Sequence, residues 1–156
     1  MHVLFVCTGN TCRSPLAEAI ARAVVAERGL ADVTVSSAGA SAWNGASASD
    51  GSLLVGLEHD LDLSGHRARA LTRDLVAASD LVLAMGPHHV EAAEALGGEG
   101  KSHLLTDYAT RGASRTPVSD PFGGDLDVYR ATIVELEREL RLVLDRLAAE
   151  HGTGAS

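Results

Sequence analysis

Cysteine is scarce in this sequence: its 156 residues include two, Cys7 and Cys12. Two cysteines do not make a disulfide scaffold for a chain of this size. They do not make a zinc site either, because histidines do not accompany them at ligand spacing. The pair must therefore either fill the core as small apolar side chains or carry chemistry.

Long apolar runs and an excess of positive charge are also missing. No stretch approaches the ~20 apolar residues that a membrane helix needs, and the start, MHVLFV, is too short and lacks the basic segment of a signal peptide. The formal net charge of −8 is the opposite of the basic face typical of a nucleic-acid binder. We therefore expect a cytoplasmic monomer that binds neither nucleic acid nor membrane.

Strand-like and helix-like segments alternate along the chain without an internal repeat. The predicted strands cover residues 2–6, 32–37, 80–85 and 102–106, and the predicted helices cover 15–28, 47–57, 72–78, 88–96 and 127–150. Residues 107–124, rich in Gly, Ser, Thr and Pro, are predicted to form a long loop of the kind that is often functional. The alternation predicts an α/β fold, a three-layer sandwich with a four-stranded parallel sheet flanked by helices. One domain is expected over 1–150, with a disordered tail over 151–156.

The loop after the first strand is where an α/β fold places its ligand, and its sequence is CTGNTCRSP, residues 7–15. Gly9 and Asn10 allow the backbone to close a tight loop, and the start of the next helix offers free N–H groups to an anion. A thiol at Cys7 surrounded by N–H donors and Arg13 should stay ionised as a nucleophile. Arg13 is suited to bind two phosphate oxygens at once. The nucleotide-binding patterns GxxxxGK[ST] and GxGxxG are absent, so the loop predicts phosphoryl transfer to a thiolate.

Three motifs together resemble the low-molecular-weight protein tyrosine phosphatase family: CTGNTCRSP, SAG at 37–39 and DPFGG at 120–124. The resemblance extends from Val3 to about Leu147, and the family's fold is a four-stranded parallel sheet flanked by helices. It implies a protein phosphatase that acts on phosphorylated protein side chains through a phosphocysteine intermediate, with no metal and no cofactor.

The same resemblance implies a role for individual residues. Cys7 would be the nucleophile, Arg13 the group that binds the phosphoryl oxygens, and Asp120 the acid that protonates the leaving group and then the base for water. An Asp on a loop can supply such a proton. The phosphate-binding loop would comprise Thr8, Gly9, Asn10, Thr11, Cys12 and Ser14. Ser37 and His66 would belong to the polar network that supports it.

Cys12 and the pair His88–His89 are the remaining reactive side chains that need an interpretation. The family often uses a second cysteine to trap the oxidised nucleophile in a reversible disulfide, so Cys12 is either such a redox partner or a small apolar filler. His88 and His89 are adjacent and face different directions on a helix. We therefore predict no metal site and no role for them.

Three residues at the expected rim bear on the substrate. Typical tyrosine phosphatases carry a bulky aliphatic residue where this chain has Thr11, and tyrosines after the DP motif where it has Phe122 followed by two glycines. Thr11 and DPFGG resemble the bacterial protein arginine phosphatase branch, which favours phosphoarginine. Trp43, at the loop where tyrosine phosphatases place an aromatic wall, either stacks beside the pocket or packs partly into the core.

Other functions fit the loop less well. A protein tyrosine phosphatase of the same fold remains the main alternative. An arsenate reductase of this superfamily needs a further cysteine pair to relay electrons, and no cysteine follows Cys12. A phosphoprotein-binding module without turnover would not need Cys7, Arg13 and Asp120 together.

Overall fold

Four parallel strands form the centre of the molecule in the computed structural model, which describes residues 1–151. The strands are β1 (His2–Cys7), β2 (Thr34–Gly39), β3 (Leu81–Ala84) and β4 (Ser102–Leu104). Their order in the sheet is β2-β1-β3-β4, and every neighbouring pair is parallel. The predicted four-stranded parallel sheet is confirmed.

Within residues 1–151, six helices accompany the sheet: α1 (Arg13–Arg28), α2 (Asp50–Glu58), α3 (Arg73–Ala77), α4 (Pro87–Ala93), α5 (Leu105–Ala109) and α6 (Leu126–His151). Alternate residues of β1 point to opposite faces of the sheet, as a strand requires. Val3 and Phe5 join a large core with α1 and α6, whereas Leu4 and Val6 join a smaller core with α3 and α4. The protein is therefore a three-layer sandwich, as predicted.

The helices that frame the first loop form for local reasons. α1 buries Leu16, Ile20 and Val24 at helical spacing and ends at Gly29, whose φ of 65° suits a residue without a Cβ. Thr72 caps α3, because its Oγ1 accepts a hydrogen bond from the Leu75 amide at 3.2 Å. One face of α6 is apolar and buried along the length of the helix, with Tyr129, Ile133, Leu136, Leu140, Val143 and Leu147.

Several predicted boundaries were wrong. The fourth strand, predicted over 102–106, ends at Leu104, and the predicted loop 107–124 begins inside helix α5. Leu105, Tyr108 and Ala109 are buried with the spacing of one helix face, and five residues are too few for that period to stand out from a strand. The second strand, predicted over 32–37, covers Thr34–Gly39. The fourth helix, predicted over 88–96, ends at Ala93. A wider turn, Glu94–Gly98, follows it, and Gly97 in this turn has a φ of 100°.

Two further expectations concern the C-terminal tail and membrane-spanning helices. The predicted tail, 151–156, lies outside the described residues except for His151, in which α6 ends. Among residues 1–151, no helix is both long enough and apolar enough to cross a membrane.

Candidate active site

Cys7 is the last residue of β1, at the centre of the carboxyl edge of the sheet. Its side chain is 2% exposed, and its sulfur lies 2.9 Å from Ser14 Oγ, in the first turn of α1. The strand, the loop 8–12 and the helix together place the thiol at the base of a pocket. The lining residues of this pocket are Cys7, Thr8, Gly9, Thr11, Cys12, Arg13, Asp120 and Phe122.

The loop turns its carbonyl groups away from the pocket. Five of them accept hydrogen bonds from the surrounding structure: Cys7 O from Ala40 N, Thr8 O from Ser41 N, Asn10 O from His66 Nε2, Thr11 O from Ser49 N, and Cys12 O from Ser52 Oγ. The amides of residues 9–12 donate to no acceptor within residues 1–151. Consecutive N–H groups without a partner, in a loop that begins at a buried thiol, are suited to bind an anion.

Asn10 is the residue that holds the loop in this shape. It is fully buried, with a φ of 55°, a left-handed conformation that Asn tolerates better than most residues. Its Nδ2 donates to Ser14 Oγ at 2.8 Å and to Ser37 Oγ at 2.9 Å, while its Oδ1 accepts from the Arg69 amide at 3.0 Å. The structure thus brings the predicted network of Asn10, Ser14, Ser37 and His66 together.

Arg13 connects the loop to the segment that carries Asp120. Its Nη1 donates to Val118 O at 2.9 Å, and its Nη2 lies 3.6 Å from Asp120 Oδ2. Arg13 is 5% exposed and lines the pocket, and its Nε is buried without a partner among residues 1–151. The Asp120 side chain is half exposed, and its Oδ1 accepts from the Phe122 amide at 3.0 Å.

The rim of the pocket has one aromatic wall. Thr11 and Phe122 line it, and Phe122 is 75% exposed. Trp43 is absent from the lining and 85% exposed. The interpretation that Trp43 packs partly into the core was wrong, because the loop between β2 and α2 leaves its ring exposed to solvent. Its role as a wall beside the pocket stays a prediction.

Cys12 lies on the core side of the loop. Its sulfur is 3.3 Å from Ser49 Oγ and 3.6 Å from the hydroxyl of Tyr129. Burial raises the pKa of Tyr129, which keeps that hydroxyl protonated. Both cysteines are free thiols. Cys12 also lines the pocket, so it is a buried thiol with polar neighbours rather than a purely apolar filler, and its role as a redox partner stays a prediction.

Sequence reasoning missed three residues that support the loop. A Cβ at Gly39 would lie 2.6 Å from Thr8 O and 2.8 Å from Asn10 N, so β2 can approach the loop only with glycine there. Glu18 accepts from Ser37 Oγ at 2.6 Å. His89, to which we assigned no role, is fully buried with its Nε2 2.8 Å from Thr8 Oγ1.

Comparison with known proteins agrees with this site. The family model for low molecular weight phosphotyrosine protein phosphatase matches residues 2–153. The chain belongs to this family. A protein-arginine-phosphatase of Bacillus subtilis is 38% identical over 149 residues, which cover 94% of this chain and 97% of that protein. The low molecular weight protein-tyrosine-phosphatase PtpB of Staphylococcus haemolyticus is 39% identical, covering 87% and 92%.

A solved structure also bears on the chemistry of the family. The YwlE arginine phosphatase, as a C7S mutant with phosphorylated active site serine, has a TM-score of 0.92 and 37% identity, covering 98% of this chain and 99% of that one. A phosphoryl group on the side chain that replaces the cysteine indicates a cysteine-based mechanism. This low-molecular-weight phosphatase is accordingly a cysteine-dependent protein phosphatase.

Proposed function

We propose that the protein hydrolyses phosphoarginine in proteins, and the composition of the pocket rim carries this proposal. A phenyl ring is best held between two apolar walls, whereas the lining of this pocket includes one aromatic side chain, Phe122, together with the polar Thr11, and does not include Trp43. The half-exposed carboxylate of Asp120 at the mouth suits a planar cation such as a guanidinium. Two of the curated relatives are named protein-arginine-phosphatase, which supports the same substrate class.

The proposed reaction has two steps. The Cys7 thiolate attacks phosphorus, a sulfur–phosphorus bond forms, the phosphorus–nitrogen bond breaks, and Asp120 protonates the departing guanidine nitrogen. Water then attacks the phosphocysteine, Asp120 accepts its proton, and the sulfur–phosphorus bond breaks to release phosphate and the thiolate. The free amides of residues 9–12 and the Arg13 guanidinium stabilise the phosphoryl oxygens in both steps.

Ser14 acts on the nucleophile in this proposal. Its hydroxyl is 2.9 Å from the Cys7 sulfur and 2.8 Å from Asn10 Nδ2. Because Asn10 Nδ2 can only donate, Ser14 Oγ accepts that bond and keeps its own hydrogen for the sulfur. A hydrogen bond to the anion stabilises the thiolate as the leaving group of the second step.

Phosphotyrosine is the second candidate substrate. Phe122 offers one face on which a phenyl ring can stack, and PtpB, a relative at 39% identity, is named a protein-tyrosine-phosphatase. The two substrates differ in what they need from residue 11, because a bulky apolar side chain there completes a slot for a phenyl ring.

One peptide carrying either phosphoarginine or phosphotyrosine at the same position tests the choice. We expect wild type to prefer phosphoarginine in kcat/KM, and Thr11→Ile to move the ratio toward phosphotyrosine by about tenfold, the usual effect of a methylene-sized change in an apolar pocket. Thr34→Ile is the matched control, because Thr34 begins β2 at the other end of the sheet, and Cys7→Ser gives the blank. An unchanged ratio in Thr11→Ile contradicts the proposal.

We further propose that the protein works in the cytoplasm as a monomer. A nucleophilic thiol needs a reducing compartment, and both cysteines are free. Sedimentation at micromolar concentration should give the mass of one chain, and cell fractionation should recover the activity in the cytoplasmic fraction.

A further inference from the structure

His89 is a buried polar side chain that the proposed reaction does not use. It lies on α4, which follows β3, and β3 is the neighbour of β1 in the sheet. The carboxyl ends of parallel neighbours meet at one edge, so the first turn of α4 adjoins the loop that begins after Cys7. The His89 ring is fully buried, and its Nε2 lies 2.8 Å from Thr8 Oγ1.

The ring is neutral near pH 7. Burial, with smaller contributions from His88 and Arg13 that outweigh Asp120, lowers the pKa of His89 to about 4. One ring nitrogen therefore carries a hydrogen and the other a lone pair. The contact with Thr8 is compatible with either arrangement, so the surroundings of the other nitrogen decide between them.

Those surroundings favour a hydrogen on Nε2. Nδ1 is buried without a partner and packs close to Gly86, where an added Cβ would lie 3.4 Å from it. Gly86 precedes α4, and the partial positive charge at the start of a helix favours a lone pair over an N–H. Nε2 is accordingly the donor, and Thr8 Oγ1 accepts.

We propose that His89 is a positioning residue for the bound phosphoryl group, acting through the Thr8 hydroxyl. With Thr8 Oγ1 already accepting from His89, the hydroxyl hydrogen is left to be donated, and Thr8 lines the pocket in which the anion binds. Thr8 O is held from the other side by the Ser41 amide, so backbone and side chain are both fixed. The inference rests on the proposed phosphatase reaction but not on the choice of phosphoarginine.

The expected size of the effect follows from the bond that Thr8 would make. A hydrogen bond from a neutral hydroxyl to a charged oxygen contributes enough to change affinity about tenfold when it is lost. Removing the donor to Thr8 should have nearly the same effect as removing the Thr8 hydroxyl. The two losses should not add, because they remove the same contact to the anion.

The test compares His89→Leu, His89→Gln, Thr8→Val, Thr8→Ser and the double variant His89→Leu/Thr8→Val. Each is assayed for kcat and KM with p-nitrophenyl phosphate, for the inhibition constant of inorganic phosphate, and for its melting temperature. Gln can place an amide N–H close to the position of Nε2. His103→Leu is the matched control, since His103 is a partly buried histidine on β4 beside Tyr108.

We expect His89→Leu and Thr8→Val each to weaken phosphate inhibition and lower kcat/KM about tenfold, the double variant to match the singles, and His89→Gln and Thr8→Ser to recover most of the loss. His103→Leu should change neither constant. A melting temperature that falls in His89→Leu while both constants stay within twofold of wild type overturns the proposal, as does an additive double variant. If His89→Leu does not fold, His89→Gln and Thr8→Val decide: the proposal is overturned if Thr8→Val leaves both constants within twofold of wild type, or if Thr8→Val loses activity and adding His89→Gln to it causes a further loss. An active Cys7→Ser would instead contradict the proposed reaction.

Discussion

Replacing Asn10 by alanine should destabilise the whole domain as well as the loop. The change removes three side-chain hydrogen bonds and leaves Ser14, Ser37 and the Arg69 amide without them. At about 1 kcal/mol for each bond, the loss is about 3 kcal/mol. Alanine also tolerates a φ of 55° less well than asparagine, at a cost of about 1 kcal/mol. The sum of about 4 kcal/mol should lower the melting temperature by about 8–16 °C in a domain of this size.

A matched control separates the two contributions. Asp60 has a φ of 61° and its amide bonds to Leu57 O, so Asp60→Ala carries the backbone cost without the network. We expect it to lower the melting temperature by about 2–4 °C, measured by circular dichroism at 222 nm.

Activity gives a second readout for Asn10→Ala. Without the Asn10 side chain, the amides of residues 9–12 and the Ser14 hydroxyl are no longer held in position. A misplacement of about 1 Å can cost ~100-fold in rate. We expect kcat/KM for p-nitrophenyl phosphate to fall by about that factor. A melting temperature within 3 °C of wild type, or equal losses in Asn10→Ala and Asp60→Ala, would refute the reasoning that this network holds the loop.

Three further outcomes follow from the site. Asp120→Asn should lower kcat/KM for a phosphoarginine peptide by about 10²–10⁴ but lower kcat/KM for p-nitrophenyl phosphate much less, because kcat/KM reports the first step and the nitrophenolate leaving group needs little protonation; equal losses of kcat/KM for the two substrates would contradict an acid role. Peroxide should inactivate wild type reversibly and Cys12→Ser irreversibly, and equal recovery after thiol treatment rules out protection. As pH falls from 6.5, the ordinary pKa of histidine, toward about 4, the unfolded state protonates at His89 while the folded state does not. In urea melts, the free energy of unfolding should therefore fall by up to about 1.4 kcal/mol per pH unit over this range, and it should fall less in His89→Gln. Equal slopes of unfolding free energy against pH in the two proteins would contradict this.

The loop 7–15 could be predicted in detail because its determinants are local. Cys7, Arg13 and the helix start are close in sequence, and the geometry of a strand followed by a helix needs no knowledge of the rest of the chain. The same holds for α1 and α6, whose apolar residues repeat over many turns. Their periodicity is long enough to exclude a strand.

The contribution of His89 could not be predicted because it depends on strand order. The alternation of strands and helices does not say that β3 lies beside β1, and only that neighbourhood brings the start of α4 to Thr8. A useful signal was present nonetheless: a histidine in the first turn of a helix that follows a buried strand lies at the ligand edge of the sheet.

Trp43 and α5 show two other ways in which the sequence was insufficient. Trp43 lies in an irregular segment between β2 and α2, where Gly45 adopts a φ of 89°, and no periodic pattern tells which way such a segment turns its side chains. Helix α5 is five residues long, so its burial pattern is shorter than two helical turns.

The hydrogen bond from Arg13 to Val118 O has a consequence for the newly made chain. It joins residues that are 105 positions apart, so the proposed nucleophile leaves the ribosome long before the segment that carries the proposed acid. A nascent chain that ends before Val118 has the thiol, but lacks both the carbonyl that orients the guanidinium and the carboxylate beside it. In the proposed reaction, turnover can therefore begin only when the last quarter of the polypeptide has docked, and its appearance during refolding would mark the completion of the domain.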